Sequence, residues 1–231
     1  MFSNRYVFAY ASIMVIVVAL LLSLASSLLR PYQEKNIRIE KMQNILSSVG
    51  VEASKVQVEE LFKEFIVGQK IVNSKGEVLE GTAFDIDLKD ENRKPEEQRR
   101  LPIFEARVKG KDYVIVPLRG QGLWGAIWGY LSFEDDFTTI GGANFDHSSE
   151  TPGLGAEIST WQFEKQFIGK RIFDQNGVFT PVRAVRGGAL PTDPHGVDAI
   201  SGGTITCDGL SRMLSQGLQV YESYFKKSKE K

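Results

Sequence analysis

The sequence is poor in the residues that mark several common classes of protein. It has one cysteine, Cys207, so no disulfide can form within the chain, and it has two histidines, His147 and His195. With so few ligands of these types, we expect no conventional zinc site. Lysine and arginine number 28 against 29 acidic residues, a net charge of −1. A nucleic-acid-binding protein needs excess positive charge to neutralise phosphates, so we expect no nucleic-acid partner.

Charge is missing altogether from one long segment near the N-terminus. Residues 6–29 contain no charged side chain, and Arg5 and Arg30 bracket them. A helix that rises about 1.5 Å per residue would span a hydrocarbon core of about 30 Å over this length. Ser23-Leu24-Ala25 fits a signal-peptide cleavage site, but the apolar run is longer than a signal peptide's and resumes past that site. We predict that residues 1–30 are a retained, single-pass anchor in membrane lipid.

The charges beside this anchor favour a cytoplasmic location for the rest of the chain. The N-terminal side carries Arg5 and the free amine. The C-terminal side carries four basic residues: Arg30, Lys35, Arg38 and Lys41. Positive charge is enriched on the cytoplasmic side of membrane helices. The charge pattern alone therefore predicts a soluble part inside the cell.

The remainder of the chain mixes helical and strand-like patterns. Apolar residues recur at helical spacing over 33–48, 56–65 and 207–226. Strand-like alternation fills 102–133, and Gly110-Lys111-Asp112 and Asn176-Gly177 are typical hairpin turns. The charged run 89–100 is typical of a solvated loop.

This order of patterns predicts an α+β fold with an antiparallel sheet flanked by helices. We divide the chain after the anchor into a helical and loop segment, residues 31–100, that packs on the soluble domain, and the main domain, residues 101–231.

The segment before the last predicted helix has the composition of an anion site. It reads Asp198-Ala-Ile-Ser201-Gly202-Gly203-Thr204-Ile-Thr206. Glycines permit close backbone approach, and a helix N-terminus offers free N–H groups and a positive dipole end, which suits a phosphate. Thr206 or Asp208 could equally act as an ordinary helix cap. The residues alone leave both interpretations open.

Two further segments are rich in glycine next to polar or aromatic residues. The first is Glu150-Thr151-Pro152-Gly153-Leu154-Gly155, a rigid loop whose backbone could approach a planar ligand. The second is Gly120-Gln-Gly122-Leu123-Trp124, in which the tryptophan could stack on a cofactor or, as the residues alone favour, fill the core. An ordinary turn is the alternative for the first segment.

Taken together and in this order, the three segments resemble the FMN-binding domain family. The likeness is carried by Gly122-Leu123-Trp124, by the loop Glu150–Gly155 and by Asp198-x-x-Ser-Gly-Gly-Thr204. Within that family the chain is most similar to the C subunits of the sodium-pumping NADH:quinone oxidoreductases. The flavin-attachment motif of the family reads Asp-x-x-Ser/Thr-Gly-Ala-Thr, and here Gly203 stands in place of the alanine.

The resemblance implies a cofactor and a way of holding it. FMN would be joined covalently through a phosphoester to Thr204 by a flavin transferase that uses FAD and Mg²⁺. Asp198, Ser201, Gly202 and Gly203 would belong to the attachment motif, with Thr206 as the second choice for the modified residue. Contacts to the flavin ring would come from Glu150, Thr151, Leu154, Gly155 and Trp124.

The resemblance also implies a role and a location. The chain would relay electrons one at a time within a membrane complex with other subunits, and alone it would turn over neither NADH nor quinone. Its soluble domain would lie in the periplasm, against the prediction from the flanking charges. One alternative is the G subunit of an Rnf-type ferredoxin:NAD⁺ oxidoreductase, which shares the anchor and the threonine motif. The other is a membrane-tethered binding module that has no cofactor.

Overall fold

A computed structural model describes residues 3–229. Internal contacts divide the chain into two units, residues 1–41 and 42–231. The first helix, α1 (Asn4–Ser47), contains Pro31 and runs without a break. The helix predicted over 33–48 is therefore the continuation of the apolar helix. α1 is long and apolar enough to cross a membrane by length and composition, and its apolar stretch is not buried by protein.

A tight turn after Ser47 ends α1. Gly50 has φ +73°, a conformation that glycine adopts without steric cost. The N–H of Val51 donates to the carbonyl of Leu46 at 3.0 Å, so a terminal carbonyl of the helix is satisfied, as in many helix ends that use glycine. The helix therefore ends within one residue of the end predicted from the pattern over 33–48.

The second unit is built on one antiparallel sheet of six strands in the order β2-β1-β3-β4-β5-β6. The strands are β1 (Ile66–Val72), β2 (Val78–Leu79), β3 (Leu101–Val108), β4 (Lys111–Gln121), β5 (Ala126–Phe133) and β6 (Ile140–His147). A separate parallel pair joins β7 (Arg183–Val185) to β8 (Gly196–Asp198). The α+β class with an antiparallel sheet is confirmed.

Helices flank this sheet. They are α2 (Val58–Phe65), α3 (Leu88–Glu91), α4 (Trp161–Glu164), α5 (Thr204–Gln219) and α6 (Glu222–Lys229), and short 3₁₀ turns lie at 83–85, 96–98, 155–159 and 165–167. The larger hydrophobic core lies between the sheet and α5, and a smaller one lies on the opposite face. Alternation along β4 supplies both cores, because Val116 joins the larger cluster and Ile115 the smaller.

Helix α5 packs against β4 through three glycines. A Cβ on Gly217 would meet Leu118 Cδ2 at 2.8 Å, and a Cβ on Gly120 would meet Met213 Cβ at 2.7 Å. A Cβ on Gly209 would collide with the carbonyl oxygen of Gln121. The absence of three side chains therefore sets the spacing between helix and sheet.

Three local predictions need correction. The last helix is two helices, because the chain turns at Val220 and Tyr221, where the buried Tyr221 hydroxyl donates to the Pro102 carbonyl at 3.0 Å. The β3–β4 turn is Lys109-Gly110, with φ of +52° and +79°, and it begins one residue before the predicted turn Gly110-Lys111-Asp112. The run 89–100 is partly ordered: it includes most of α3 and a 3₁₀ turn, and the buried Glu91 pairs with Lys94 at 2.7 Å.

Candidate functional site

The fold brings the three glycine-rich segments together around one carboxylate. Glu150 Oε1 accepts the N–H groups of Trp124 at 2.9 Å and Gly125 at 3.3 Å. Glu150 Oε2 accepts the hydroxyl of Thr206 at 2.5 Å. One side chain therefore joins the turn after β4, the loop after β6 and the first turn of α5. These three segments are far apart in sequence, so tertiary structure alone unites them.

The surroundings of Glu150 keep it ionised. Its exposed fraction is 4%. Burial by itself favours the neutral acid, but the Thr206 hydroxyl and the N–H groups of Trp124, Gly125 and Leu123 outweigh it and hold the pKa of Glu150 below its ordinary value. A buried anion with this many donors is a fixed structural element.

Two motif glycines leave the space that this carboxylate fills. A Cβ on Gly122 would meet Glu150 Oε1 at 2.5 Å. A Cβ on Gly155 would meet Glu150 Oε2 at 2.5 Å and would clash with the Thr206 hydroxyl. The glycines at these positions therefore let the turn after β4, the loop after β6 and the first turn of α5 pack closely together.

The three hydroxyl residues of the motif have different surroundings. Thr206 is 1% exposed, and its hydroxyl is committed to Glu150. Ser201 is exposed on a turn before the helix. Thr204 is half-buried and is the first residue of α5, where the opening N–H groups of a helix have no intrahelical acceptor. Of the three, Thr204 combines access from solvent with a place at the positive end of the helix dipole.

The start of α5 differs from the expectation of a side-chain cap. The N-cap is Gly203, and it makes no side-chain hydrogen bond. Thr206 lies inside the first turn and bonds to Glu150, and Asp208 forms an ion pair with Arg186 at 2.5 Å. Neither is the cap. Gly202 has φ +74° and lies close to Leu154, since a Cβ there would meet Leu154 Cδ2 at 2.6 Å.

The acid of the motif is fixed through its backbone and its side chain. Asp198, at the end of β8, is exposed, and its Oδ1 accepts the N–H of Ala189 at 2.7 Å. Its own N–H donates to Gln166 Oε1 at 2.8 Å. Asp198 therefore orders the chain that leads into Ser201 and Thr204.

Several apolar side chains are exposed to solvent, both next to Thr204 in the sequence and on the two other segments that meet at Glu150. Trp124 is 67% exposed and Leu154 is 41% exposed, and Leu123 and Ile205 are also exposed. Thr151 is exposed on the same loop as Leu154. The interpretation of Trp124 as a core residue is wrong, because the turn that Glu150 holds directs its side chain outward. Exposed apolar groups of this size are available to a planar ligand or to a partner protein.

Some residues of this region were not found by sequence reasoning. Gln166 and Arg186 have no motif around them, and their partners Asp198 and Asp208 are distant in sequence. Glu164 is buried beside β6, where burial raises its pKa to about 7 although the N–H of Phe145 donates to it at 2.6 Å. Cys207 is buried; burial raises the pKa of its thiol, and its sulfur accepts the N–H of Ile200 at 3.3 Å.

The site has the parts of a flavin domain, and comparison with protein families agrees. Residues 122–219 match the family of FMN-binding domains. That range contains all the segments that meet at Glu150. The exposed side chains of Trp124 and Leu154 and the N-terminus of α5 suit an aromatic ring that carries a phosphate. This is an FMN-binding domain that follows a helix of membrane-spanning length.

Comparison with whole proteins is more specific. The chain is 31% identical to the C subunit of the Na(+)-translocating NADH-quinone reductase of Vibrio campbellii, over 84% of this chain and 83% of the relative. The crystal structure of the corresponding subunit from Parabacteroides distasonis is 41% identical and superposes with a TM-score of 0.79, over 85% of this chain and 96% of that one. NqrC of Shewanella oneidensis is 29% identical, with a TM-score of 0.73, over 84% of this chain and 98% of that one. The chain belongs to the NqrC family, the C subunits of the Na⁺-translocating NADH-quinone reductases.

The bond between Thr206 and Glu150 gives a prediction about stability. Thr206→Val keeps the shape of the side chain and removes the donor, so a buried carboxylate oxygen loses its partner. We expect the free energy of unfolding near neutral pH to fall by about 1–3 kcal/mol. Urea unfolding of the full chain in detergent, followed by tryptophan fluorescence, measures this loss. Thr151→Val, on the exposed part of the same loop, is the matched control and should change little.

The free energy of unfolding of Thr206→Val should also depend less on pH in the acid range than that of the wild type. Because the pKa of Glu150 is lowered in the folded protein from 4.5, its contribution is present above that pH and is lost as the pH falls through the folded pKa. Removing one donor brings the folded pKa closer to the unfolded one. The gap between wild type and Thr206→Val should therefore narrow as the pH falls below about 4.5. A gap that is constant with pH would contradict an ionised Glu150 as the acceptor.

Proposed function

We propose that this chain is an electron-transfer flavoprotein subunit of a membrane-bound, ion-translocating NADH:quinone oxidoreductase and that it carries FMN as a phosphoester on Thr204. The observation that supports the attachment site most directly is the position of Thr204. It opens α5, it is only half-buried, and it follows two glycines. The other threonine of the motif, Thr206, is buried and bonded to Glu150.

The proposed attachment is a transfer of the FMN part of FAD. The Thr204 oxygen forms a bond to the flavin-side phosphorus, the anhydride bond of FAD breaks, AMP leaves, and the hydroxyl proton is released. A flavin transferase with Mg²⁺ is the partner that this reaction requires. Small neighbours support it, because Ser201 and Gly202 are exposed and leave the hydroxyl within reach of an external active site.

Each group of residues has a distinct task in this proposal. The N-terminal N–H groups of α5 hold the phosphate once it is attached. Glu150 and Thr206 fix the loops on either side, and Asp198, with Gln166, fixes the approach to Thr204. Trp124, Leu154 and Thr151 border the ring, and the buried Gly155 lets the loop that carries Thr151 and Leu154 pack closely on Thr206. Bound FMN supplies the redox chemistry, accepting and passing on electrons, and the protein supplies position and polarity.

The chain does this work as part of an assembly. Residues 3–229, which the structure describes, contain no glycine-rich dinucleotide fingerprint on a strand-to-helix turn, and we expect the chain alone to react with neither NADH nor quinone. Residues 1–30 anchor it in lipid, residues 101–231 carry the flavin, and residues 31–100 support that domain, partly through β1, which pairs with β3. The exposed Trp124, Leu154 and Ile205 suit contact with the other subunits.

We place the soluble domain outside the cytoplasmic membrane, in the periplasm. The likeness to the NqrC family supports this placement, whereas the basic residues after the anchor favour the reverse, as a statistical tendency. Protease added to spheroplasts should digest the domain and leave a cytoplasmic marker intact. A domain that resists protease until the cells are lysed would reverse the assignment.

Replacement of Thr204 tests the proposed attachment. We would express the chain with a flavin transferase and compare intact masses and flavin fluorescence in a denaturing gel. Wild type should gain the mass of FMN less one water, and Thr204→Ala should gain nothing, because the acceptor oxygen is gone. Thr204→Ser keeps a hydroxyl at the same position and is the matched control that should retain some flavin.

The other outcomes separate the alternatives. Flavin that persists in Thr204→Ala and disappears in Ser201→Ala would move the attachment to Ser201. A wild-type chain that stays colourless after exposure to an active transferase would contradict the flavoprotein proposal and favour the binding module.

The ring contacts are tested by the midpoint potential of the attached flavin. Trp124→Phe and Leu154→Ala change what borders the ring without touching Thr204 or Glu150, so both should still take up flavin and should shift its potential. Trp161→Phe, an exposed tryptophan on α4, is the control for a surface substitution. If neither variant shifts the potential relative to that control, Trp124 and Leu154 do not contact the ring.

A further inference from the structure

A pocket lies where β4 extends past the end of its pairing with β3. The pairing of these strands ends at Phe104 and Ile115, while β4 continues to Gln121 and pairs there with β5 alone. The segment that contains α3 covers the open edge, and Asn92 Nδ2 donates to the Arg119 carbonyl at 3.3 Å. Helix α5 forms the other wall. A cavity of about 220 Å³ remains between these three elements.

Positively charged residues line this cavity. Arg99 lies on the covering segment and Arg212 on α5, and the floor is apolar, with Leu118 and Met213. Among the described residues that line the cavity, none is an aspartate or a glutamate. Glu91, a buried acid of the covering segment, is paired with Lys94 and accepts the N–H of Arg100.

Arg99 is held in place without being neutralised. Its Nε donates to the Lys94 carbonyl at 3.0 Å and its Nη2 to the Asn92 carbonyl at 3.4 Å. Both acceptors are neutral, so the guanidinium keeps its full charge while its position is fixed. An arginine fixed in this way loses little conformational entropy when it binds an anion.

The open edge of β4 adds a backbone donor. In a strand, the N–H and the carbonyl of one residue point to the same side. Because the Arg119 carbonyl bonds to Asn92 on the side of the covering segment, the Arg119 N–H faces the same way, and the ladder with β3 does not reach it. Strand edges of this kind present N–H groups that need an acceptor.

We propose that this pocket binds a small oxyanion of the phosphate type, through Arg99, Arg212 and the exposed edge of β4. Guanidinium groups bind phosphate oxygens through strong, charge-assisted hydrogen bonds. The site is separate from the flavin attachment point: Arg212 lies about 12 Å along α5 from Thr204 at 1.5 Å per residue. The proposal does not depend on the presence of flavin.

The test is a titration of the full chain in detergent with inorganic phosphate, followed by calorimetry and by the shift of the unfolding temperature. Wild type should show saturable binding with a Kd at or below about 1 mM. Arg212→Gln and Arg99→Gln should each weaken it about tenfold or more, because each removes a charged donor. Arg93→Gln is the matched control, since Arg93 is exposed on the same covering segment and does not line the cavity.

A parallel arm identifies the source of the phosphate group. The chain is reconstituted in phosphatidylcholine with and without phosphatidic acid, and the unfolding temperature is compared. Stabilisation by phosphatidic acid alone, lost in Arg212→Gln, would assign the pocket to a lipid headgroup, and stabilisation by inorganic phosphate would assign it to a soluble ligand. Phosphate binding that survives both substitutions would lie elsewhere, including the N-terminus of α5, and would overturn the proposal. Absence of saturable binding in both arms would do the same.

Discussion

The carboxylate of Glu150 is the interaction on which the candidate site depends. It is almost fully buried, and it is bonded at once to the turn after β4 and to the first turn of α5. A buried charge is tolerated only where donors surround it, and breaking one of several such bonds leaves the others strained or unpaired. The three loops can therefore take their positions only together. The exposure of Trp124 and the accessibility of Thr204 both follow from that joint arrangement.

The site therefore has a buried, hydrogen-bonded base around Glu150 and a surface that is open to solvent. The hydrogen bonds of Glu150 use buried groups, whereas the side chains of Trp124, Leu154 and Ile205 are exposed to solvent. Under the proposed attachment to Thr204 this division would matter, because a single bond fixes one point and leaves the orientation of a ring undefined. The surrounding loops, held by Glu150, supply the missing constraint. The N-terminus of α5 adds free N–H groups and a positive dipole end, which favour a phosphate.

Much of the fold and the site's location could be predicted from the sequence, because the signals are local. The uncharged segment 6–29 and the glycine-rich motifs act through their own backbone or composition. The start of α5 at Thr204 was missed because Gly203 offers no capping side chain. The partner of Glu150 could not be predicted, since Thr206 lies 56 positions away and has equally good local roles. Trp124 was misjudged because its orientation is set by that distant carboxylate.

The glycine contacts between α5 and β4 have a consequence at the far end of the helix. Gly217 lies thirteen residues after Thr204, about 20 Å along the axis, and Leu118 already fills the space beside it. A side chain at Gly217 would press against Leu118 on β4 at the C-terminal end of α5. Either Leu118 or the end of the helix would have to move, and a shift of the helix end would also move Thr204, because α5 is one continuous helix. The alignment of Thr204, the proposed attachment point, thus depends partly on a glycine near the far end of the helix.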